Sequence, residues 1–131
     1  NRPSYTECPE LLDICKTVVV LDHHRQTSEI IENALLSYVE PFASSTCEMV
    51  TEILQHIGDV RKVSTLESQA LYMGILMDTK NFVVKTGIRT FEAASYLKRR
   101  GVDTIEVKKL FQINLNTFVK KCFLPSRHTH E

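Results

Sequence analysis

Neither sign of charge dominates this chain: sixteen Lys and Arg balance sixteen Asp and Glu, for a formal net charge of +0. That balance excludes bulk electrostatic recruitment to duplex nucleic acid or to an anionic membrane surface. No stretch approaches the roughly eighteen consecutive apolar residues of a membrane span, and no secretory pattern is legible, so the expected location is cytoplasmic with no membrane contact by this segment. The four cysteines, Cys8, Cys15, Cys47 and Cys122, make no C-x-x-C pair and no zinc-ligand spacing. Free thiols in a reducing compartment are the expectation, rather than a disulfide framework. Repeats and low-complexity tracts are absent. With 131 residues, 43% hydrophobic and 24% charged, the chain can bury one core but not two.

What is present is concentrated in Thr17–Arg25, TVVVLDHHR. The run Val18–Leu21 is apolar and β-branched without alternation, the reading of a strand covered on both faces of a parallel sheet. Ligands of open α/β sheets collect beyond the carboxyl ends of the strands. Asp22, His23 and His24 therefore sit where a site belongs, although a solvated turn after a core strand is the plainer alternative. A second segment, Leu66–Asp78 (LESQALYMGILMD), is apolar and small throughout and ends on an acid. Its length and its Leu, Ala and Met content predict a buried helix. Such a helix can carry Asp78 to the crevice of His23, where imidazole and carboxylate together suit a divalent ion such as manganese or zinc. A plain cap or turn role for Asp78 stands beside that reading.

An apolar strand ending in Asp-His-His resembles the signature of the DHH phosphoesterases. YVEPFASSTCEMVTEIL (Tyr38–Leu54), GILMDTKNF (Gly74–Phe82) and TGIRTFEAASYLKRRGVD (Thr86–Asp103) come after it in order. Together they are similar to the DHH domain of the membrane-anchored bacterial cyclic-di-AMP phosphodiesterases, over about Asn1 to Gln112. The resemblance implies an α/β fold: a partial doubly wound, Rossmann-like, mainly parallel sheet with flanking helices. It also implies a two-manganese (Mn2+) site that hydrolyses a cyclic dinucleotide or a short oligonucleotide. His23 and Asp78 are then metal ligands, Asp22 organises the triplet, and His24 faces the scissile phosphate as charge stabiliser or proton donor. Two metal ions can clamp a phosphodiester and generate hydroxide near neutral pH. A histidine ligand needs its second ring nitrogen oriented, and Asp22 is a candidate for His23.

The family's first motif, a strand followed by His and two Asp ligands, has no counterpart here, and its bridging aspartate is absent as well. Asn1–Ser4 resembles the stretch just after that aspartate. The expectation is therefore the C-terminal portion of a DHH domain over residues 1–112, with the first strands missing, weak metal binding and no turnover alone. Residues 113–131 are expected to be a linker start or a disordered, non-native tail, with a weakly metal-competent His-x-His at His128 and His130. A membrane anchor in the parent, which the resemblance implies, would lie upstream of Asn1. The uncovered sheet edge predicts homodimers or other self-association.

The coarse organisation is a helix over Pro9–Cys15, a strand over Thr17–Leu21, and a connector with a helical turn in Arg25–Asn33. A second strand covers Leu35–Glu40. A capping box at Ser45-Thr46-Cys47-Glu48 opens a helix to Ile57, stopped by Gly58. Ser64 or Thr65 caps the next, Ile88–Arg100 forms another with Gly101 as its stop, and Asp103 or Thr104 begins the last, to about Asn116. Ser45 and Thr46 at a helix N-terminus can face a phosphate or simply cap. Arg89 can hold a phosphate bidentately or pair with a carboxylate. Lys80 and Asn81 can touch a substrate or be solvated. Phe91, Ala94, Leu97 and Lys98 read as a core stripe. Two alternatives to the cyclic-dinucleotide reading remain: another hydrolase branch of the superfamily, acting on oligoribonucleotides or pyrophosphate, and a non-catalytic binding module.

Overall fold

In the computed structural model, which describes residues 2–57 and 63–112, the apolar run ending in the Asp-His-His triplet is a strand. It is β1, Val19–Asp22, and it pairs in parallel with β2, Leu36–Val39. The register sets Val19 opposite Leu36 and Asp22 opposite Val39. Backbone bonds extend the pairing at both ends, Leu35 N to Val18 O at 2.8 Å and Glu40 N to Asp22 O at 2.9 Å. Val20 and Asp22 are buried, whereas Val19 is half-exposed. The expectation of cover on both faces is thus corrected among the described residues: the strand alternates. The connector from β1 to β2 has a turn at residues 32–33 but no helix, contrary to the helical turn expected in Arg25–Asn33.

Helix α1, Glu10–Ile14, precedes β1, with Pro9 at its N-cap. After β2 come α2 (Thr46–Ile57), α3 (Thr65–Asp78), α4 (Ile88–Arg99) and a further helix, α5, over residues 104–112. The result is a partial α/β fold, two parallel strands flanked by helices, with α2 packed on β1, α3 and α4. No helix among the described residues is long and apolar enough to cross a membrane. Gly58, Cys122 and the His-x-His of the tail lie outside the described residues, and so does the expected end of α5. Cys8, Cys15 and Cys47 carry free thiols.

The caps explain the boundaries. Ser64 begins α3 with a reciprocal pair: Glu67 N donates to Ser64 Oγ at 3.2 Å, and Ser64 N to Glu67 Oε2 at 2.9 Å. At α2 the box expected from the sequence is only half made. Glu48 N donates to Ser45 Oγ at 3.0 Å, but the Glu48 carboxylate bonds Ser44, not Ser45. Gly101 ends α4 at φ +93°, a conformation that favours glycine.

Tyr72 and Ile75 of α3, Ala93, Ala94 and Leu97 of α4, and Val102 and Val107 form the core cluster. The stripe expected on α4 holds at Ala94 and Leu97 and is corrected at Phe91 and Lys98. Thr90, Ala93, Ala94 and Leu97 are buried, while Phe91 is 57% exposed and Lys98 donates to Val102 O at 2.9 Å. Helix α3, apolar on all sides, buries one face through Ser68, Tyr72 and Ile75; Leu66 and Met77 stay exposed, so the buried-helix expectation holds for that face alone.

Helices α2 and α3 meet closely at Gly74. A Cβ added there would lie 2.2 Å from Cys47 Sγ and 3.1 Å from Cys47 Cβ. Gly74→Ala gains about 1 kcal/mol of helix propensity but overpacks the contact by about 1–3 kcal/mol, so a net loss of stability is expected. Urea denaturation checks this, and adding Cys47→Ala is expected to recover part of the loss by removing the sulfur.

Candidate metal centre

Strand β1 ends at Asp22 and α3 ends at Asp78, and the two ends converge. His23 Nε2 stands 3.5 Å from Asp78 Oδ2, joining segments far apart in the chain. The His23 side chain is 10% exposed and that of Asp78 is 44% exposed, so the pair lies at a surface with the imidazole sunk behind the carboxylate. The gap is long for an N–H···O hydrogen bond. An imidazole nitrogen and a carboxylate oxygen facing each other in this way are donor types that could share a divalent ion. His23 Nδ1 is buried and has no hydrogen-bond partner among the described residues.

Burial pushes the His23 imidazole below its ordinary pKa. The attraction of Asp78 and Asp22 opposes this, and positive charge at Lys85, or on His24 when protonated, adds to the lowering. The ring is thus neutral near pH 7, the form that ligates metal. The shift ties stability to pH with a definite sign. The unfolded imidazole binds a proton near pH 6.5 and the folded one at lower pH. Metal-free stability is therefore expected to fall on acidification below about 6.5, because the unfolded state then holds more protons. Denaturant midpoints between pH 7.5 and 5.5 test this, and His23→Gln is expected to flatten the slope.

Asp22 does not orient His23, correcting the role expected for it. Its Oδ1 accepts from the His24 backbone N at 3.0 Å and pairs with His24 Nδ1 at 2.7 Å. Burial alone would raise the Asp22 carboxyl; the hydrogen bonds it accepts, those from His24 among them, outweigh this and hold it well below the usual carboxylate range. An ionised Asp22 places the neutral His24 proton on Nδ1 and leaves Nε2 as the atom open to a substrate. The His24 side chain is 75% exposed, and its ring lies 4.3 Å from that of His23, centroid to centroid. Two adjacent histidines thus have different surroundings, one sunk against a carboxylate, the other open and backed by one.

The remaining residues singled out from the sequence lie elsewhere in the contact network. Ser45 is fully buried as the α2 cap, and Thr46 opens that helix. Of the two roles open to Arg89, pairing with carboxylates is the one present. Its Nε and Nη2 each donate to Glu52 at 2.7 Å, with Glu40 at 3.9 Å and Glu48 at 4.0 Å. The bidentate fork expected for a phosphate is therefore already filled by Glu52. Glu48 was legible only as a helix-cap partner. It is 1% exposed and accepts from Ser44 N, from Ser44 Oγ, and from Thr90 Oγ1 at 2.6 Å, tying α2 to the start of α4. Thr79 is likewise buried; its position directly after Asp78 was the available signal. Among the described residues no group of three or more His, Cys, Asp or Glu is placed to hold a metal ion.

With this geometry in place, comparison with known proteins is informative. The family model described as "DHH family, N-terminal domain" matches residues 1–75, more than half of the chain. The chain belongs to the DHH family. In DHH terms, the name-giving triplet is Asp22-His23-His24, at the end of β1. Among curated relatives, the cyclic-di-AMP phosphodiesterase PdeA of Listeria monocytogenes is 45% identical over 121 residues, covering 92% of this chain and 18% of the relative. The cyclic-di-AMP phosphodiesterase GdpP of Geobacillus thermodenitrificans is 46% identical over 127 residues, covering 97% of this chain and 19% of that protein. A membrane protein–large ribosomal subunit bL9 fusion protein of Onion yellows phytoplasma is 48% identical over 100 residues, covering 76% of this chain and 12% of its own length. This DHH chain therefore spans about a fifth or less of the relatives it matches.

Proposed function

We propose that this DHH segment belongs to a manganese-dependent phosphodiesterase that hydrolyses cyclic or linear dinucleotides of the cyclic-di-AMP type. The observation that carries the proposal is the meeting of His23 Nε2 and Asp78 Oδ2 at 3.5 Å, with the open His24 beside them. The names of the Listeria and Geobacillus relatives supply the substrate class.

His23 and Asp78 would hold manganese, a neutral imidazole and a carboxylate being a donor set that such an ion accepts. When bound, the metal supplies Lewis acidity toward the phosphate and a water of lowered pKa. The chain's own part is electrostatic and positional. Asp22 fixes the His24 ring through Nδ1, and in its doubly protonated form His24 turns Nε2–H to the substrate phosphate, stabilising its charge or handing that proton to the leaving oxygen. No third donor joins His23 and Asp78 among the described residues. On that ground we assign weak manganese binding and no turnover to the described residues by themselves. Each strand of the two-stranded sheet keeps one unpaired edge among the described residues, which supports self-association of the segment. The phytoplasma relative is named as a membrane protein, which supports a membrane-anchored parent; placing this domain on its cytoplasmic side is part of the proposal.

The test is a substrate profile of the protein with its natural flanking sequence and added manganese. Cleavage of cyclic-di-AMP to the linear dinucleotide, ahead of oligoribonucleotides and pyrophosphate, is expected. Preference for pyrophosphate, or no hydrolysis of any of them, contradicts the proposal.

A further inference from the structure

The two parallel strands end side by side, so the turn after β2 borders the Asp-His-His triplet. Glu40, one residue past β2, donates its N–H to Asp22 O at 2.9 Å, and the Asp22 carboxylate in turn holds the His24 ring at 2.7 Å. Phe42 follows two residues later, so covalent geometry alone keeps its Cα within about 14 Å of that of Asp22. It is 93% exposed, more than any other large apolar residue among the described residues. An isolated apolar residue on a surface is ordinary. This one is carried on a turn that its surroundings hold in place. Pro41 sets φ at the second position of the turn, which Ala43 N closes on Glu40 O at 3.1 Å, and Phe42 N donates to Glu40 Oε1 at 3.1 Å. The other Glu40 oxygen faces Arg89 Nη1 at 3.9 Å. Directly after Phe42 the chain turns inward: Ala43, Ser44 and Ser45 are buried, and the Glu48 carboxylate accepts from both Ser44 N and Ser44 Oγ. A fixed backbone thus presents a bare phenyl ring to solvent at the carboxyl rim of the strands, where ligands of open α/β sheets collect.

We propose that Phe42 is a base-binding residue, its ring stacking on a nucleobase of the dinucleotide whose phosphate lies at the His23–Asp78 centre. The inference rests on the phosphodiesterase reading above for the class of ligand. It adds to that reading a contact with the base, which neither the Asp-His-His triplet nor Asp78 is suited to make. A sugar, a base and a phenyl side chain together bridge the gap between the triplet and the turn. Every base has a π-face, so a ring without hydrogen-bonding atoms supplies affinity with little regard to the base's edges. A ring on a prearranged turn also loses little freedom when it binds.

The test uses the protein with its natural flanking sequence, manganese-loaded, as wild type, Phe42→Ala and Phe42→Trp. Two diesters are compared: cyclic-di-AMP, and an abasic dinucleotide with tetrahydrofuran in place of each base-bearing sugar. For Phe42→Ala, KM on cyclic-di-AMP is expected to rise about 10- to 100-fold, the worth of one stacked base, with kcat little changed. KM for the abasic diester, or its inhibition constant where it is not cleaved, is expected to stay near that of wild type. These 131 residues contain no tryptophan, so Phe42→Trp adds an indole whose emission is read over the wild-type background. Cyclic-di-AMP is expected to quench that emission, with KM near the wild-type value. Equal effects of Phe42→Ala on the two diesters, or none on either, overturn the inference and leave the phosphodiesterase reading standing. A lowered thermal midpoint in Phe42→Ala with unchanged KM does the same, since it marks a ring covered by protein. If wild type cleaves neither diester, the phosphodiesterase reading falls and the emission alone decides the inference. Quenching by cyclic-di-AMP then supports it, and unaltered emission overturns it.

Discussion

Replacing His23 by alanine in the protein with its natural flanking sequence is expected to lower manganese affinity at least about 100-fold, with loss of diester hydrolysis. Residues that merely orient a metal ligand are worth about 10- to 100-fold, and a ligand itself is worth no less. His23 offers Nε2 toward Asp78 from a nearly buried position, as a neutral ring that needs no deprotonation at pH 7. Removing it leaves the carboxylate with no imidazole opposite. The contrasting variant is His24→Ala. Its ring is directed to Asp22 and to solvent, so manganese affinity is expected to stay near wild type while turnover falls about 100- to 10,000-fold, the range of general acid–base catalysis. Calorimetry with manganese and initial-rate assays on the two variants separate binding from chemistry. Equal loss of metal affinity in both removes the division of labour argued for the two histidines.

Glu48→Ala is expected to cost about 3 kcal/mol of folding stability, the largest effect of any substitution outside the centre. The carboxylate is 1% exposed, and three donors converge on it from Ser44 and Thr90. Alanine leaves those donors buried without an acceptor, at about 1–3 kcal/mol each before relaxation, and opens space where a fully buried side chain stood. Glu48→Gln keeps the shape and one acceptor oxygen, so a smaller loss is expected. Thermal unfolding of both variants checks the order, with a drop for alanine of about 10 °C, from a slope of several degrees per kcal/mol. The same network links the 44–48 turn to α4, so its loss is also expected to weaken the Arg89–Glu52 contact.

The parts of the fold legible in the sequence were those set by local chemistry. The apolar β-branched run Val18–Leu21 marked a strand, Ser45 and Ser64 marked helix starts, and Gly101 marked a stop at a backbone angle that favours glycine. The convergence of His23 and Asp78 was legible too, because both end apolar elements that an α/β layout brings to one rim. Long-range partner choice was not. Nothing local says that Asp22 turns to His24 instead of His23, that Glu48 reaches Ser44 and Thr90, or that Glu52 fills the Arg89 fork. On α4 the stripe was right at Ala94 and Leu97 but missed at Phe91, which looks like core by type, while the small Ala93 and the polar Thr90 occupy buried positions. The left-handed turn after Asp78 left no glycine to announce it.

Pulsed electron paramagnetic resonance of the manganese-loaded protein tests the central claim most directly, since it detects an imidazole nitrogen bound to the ion. A nitrogen coupling in wild type that vanishes in His23→Ala and persists in His24→Ala is the expected result. A coupling that survives His23→Ala, or that is lost only in His24→Ala, contradicts the assignment of His23 and Asp78 as the pair that holds the metal.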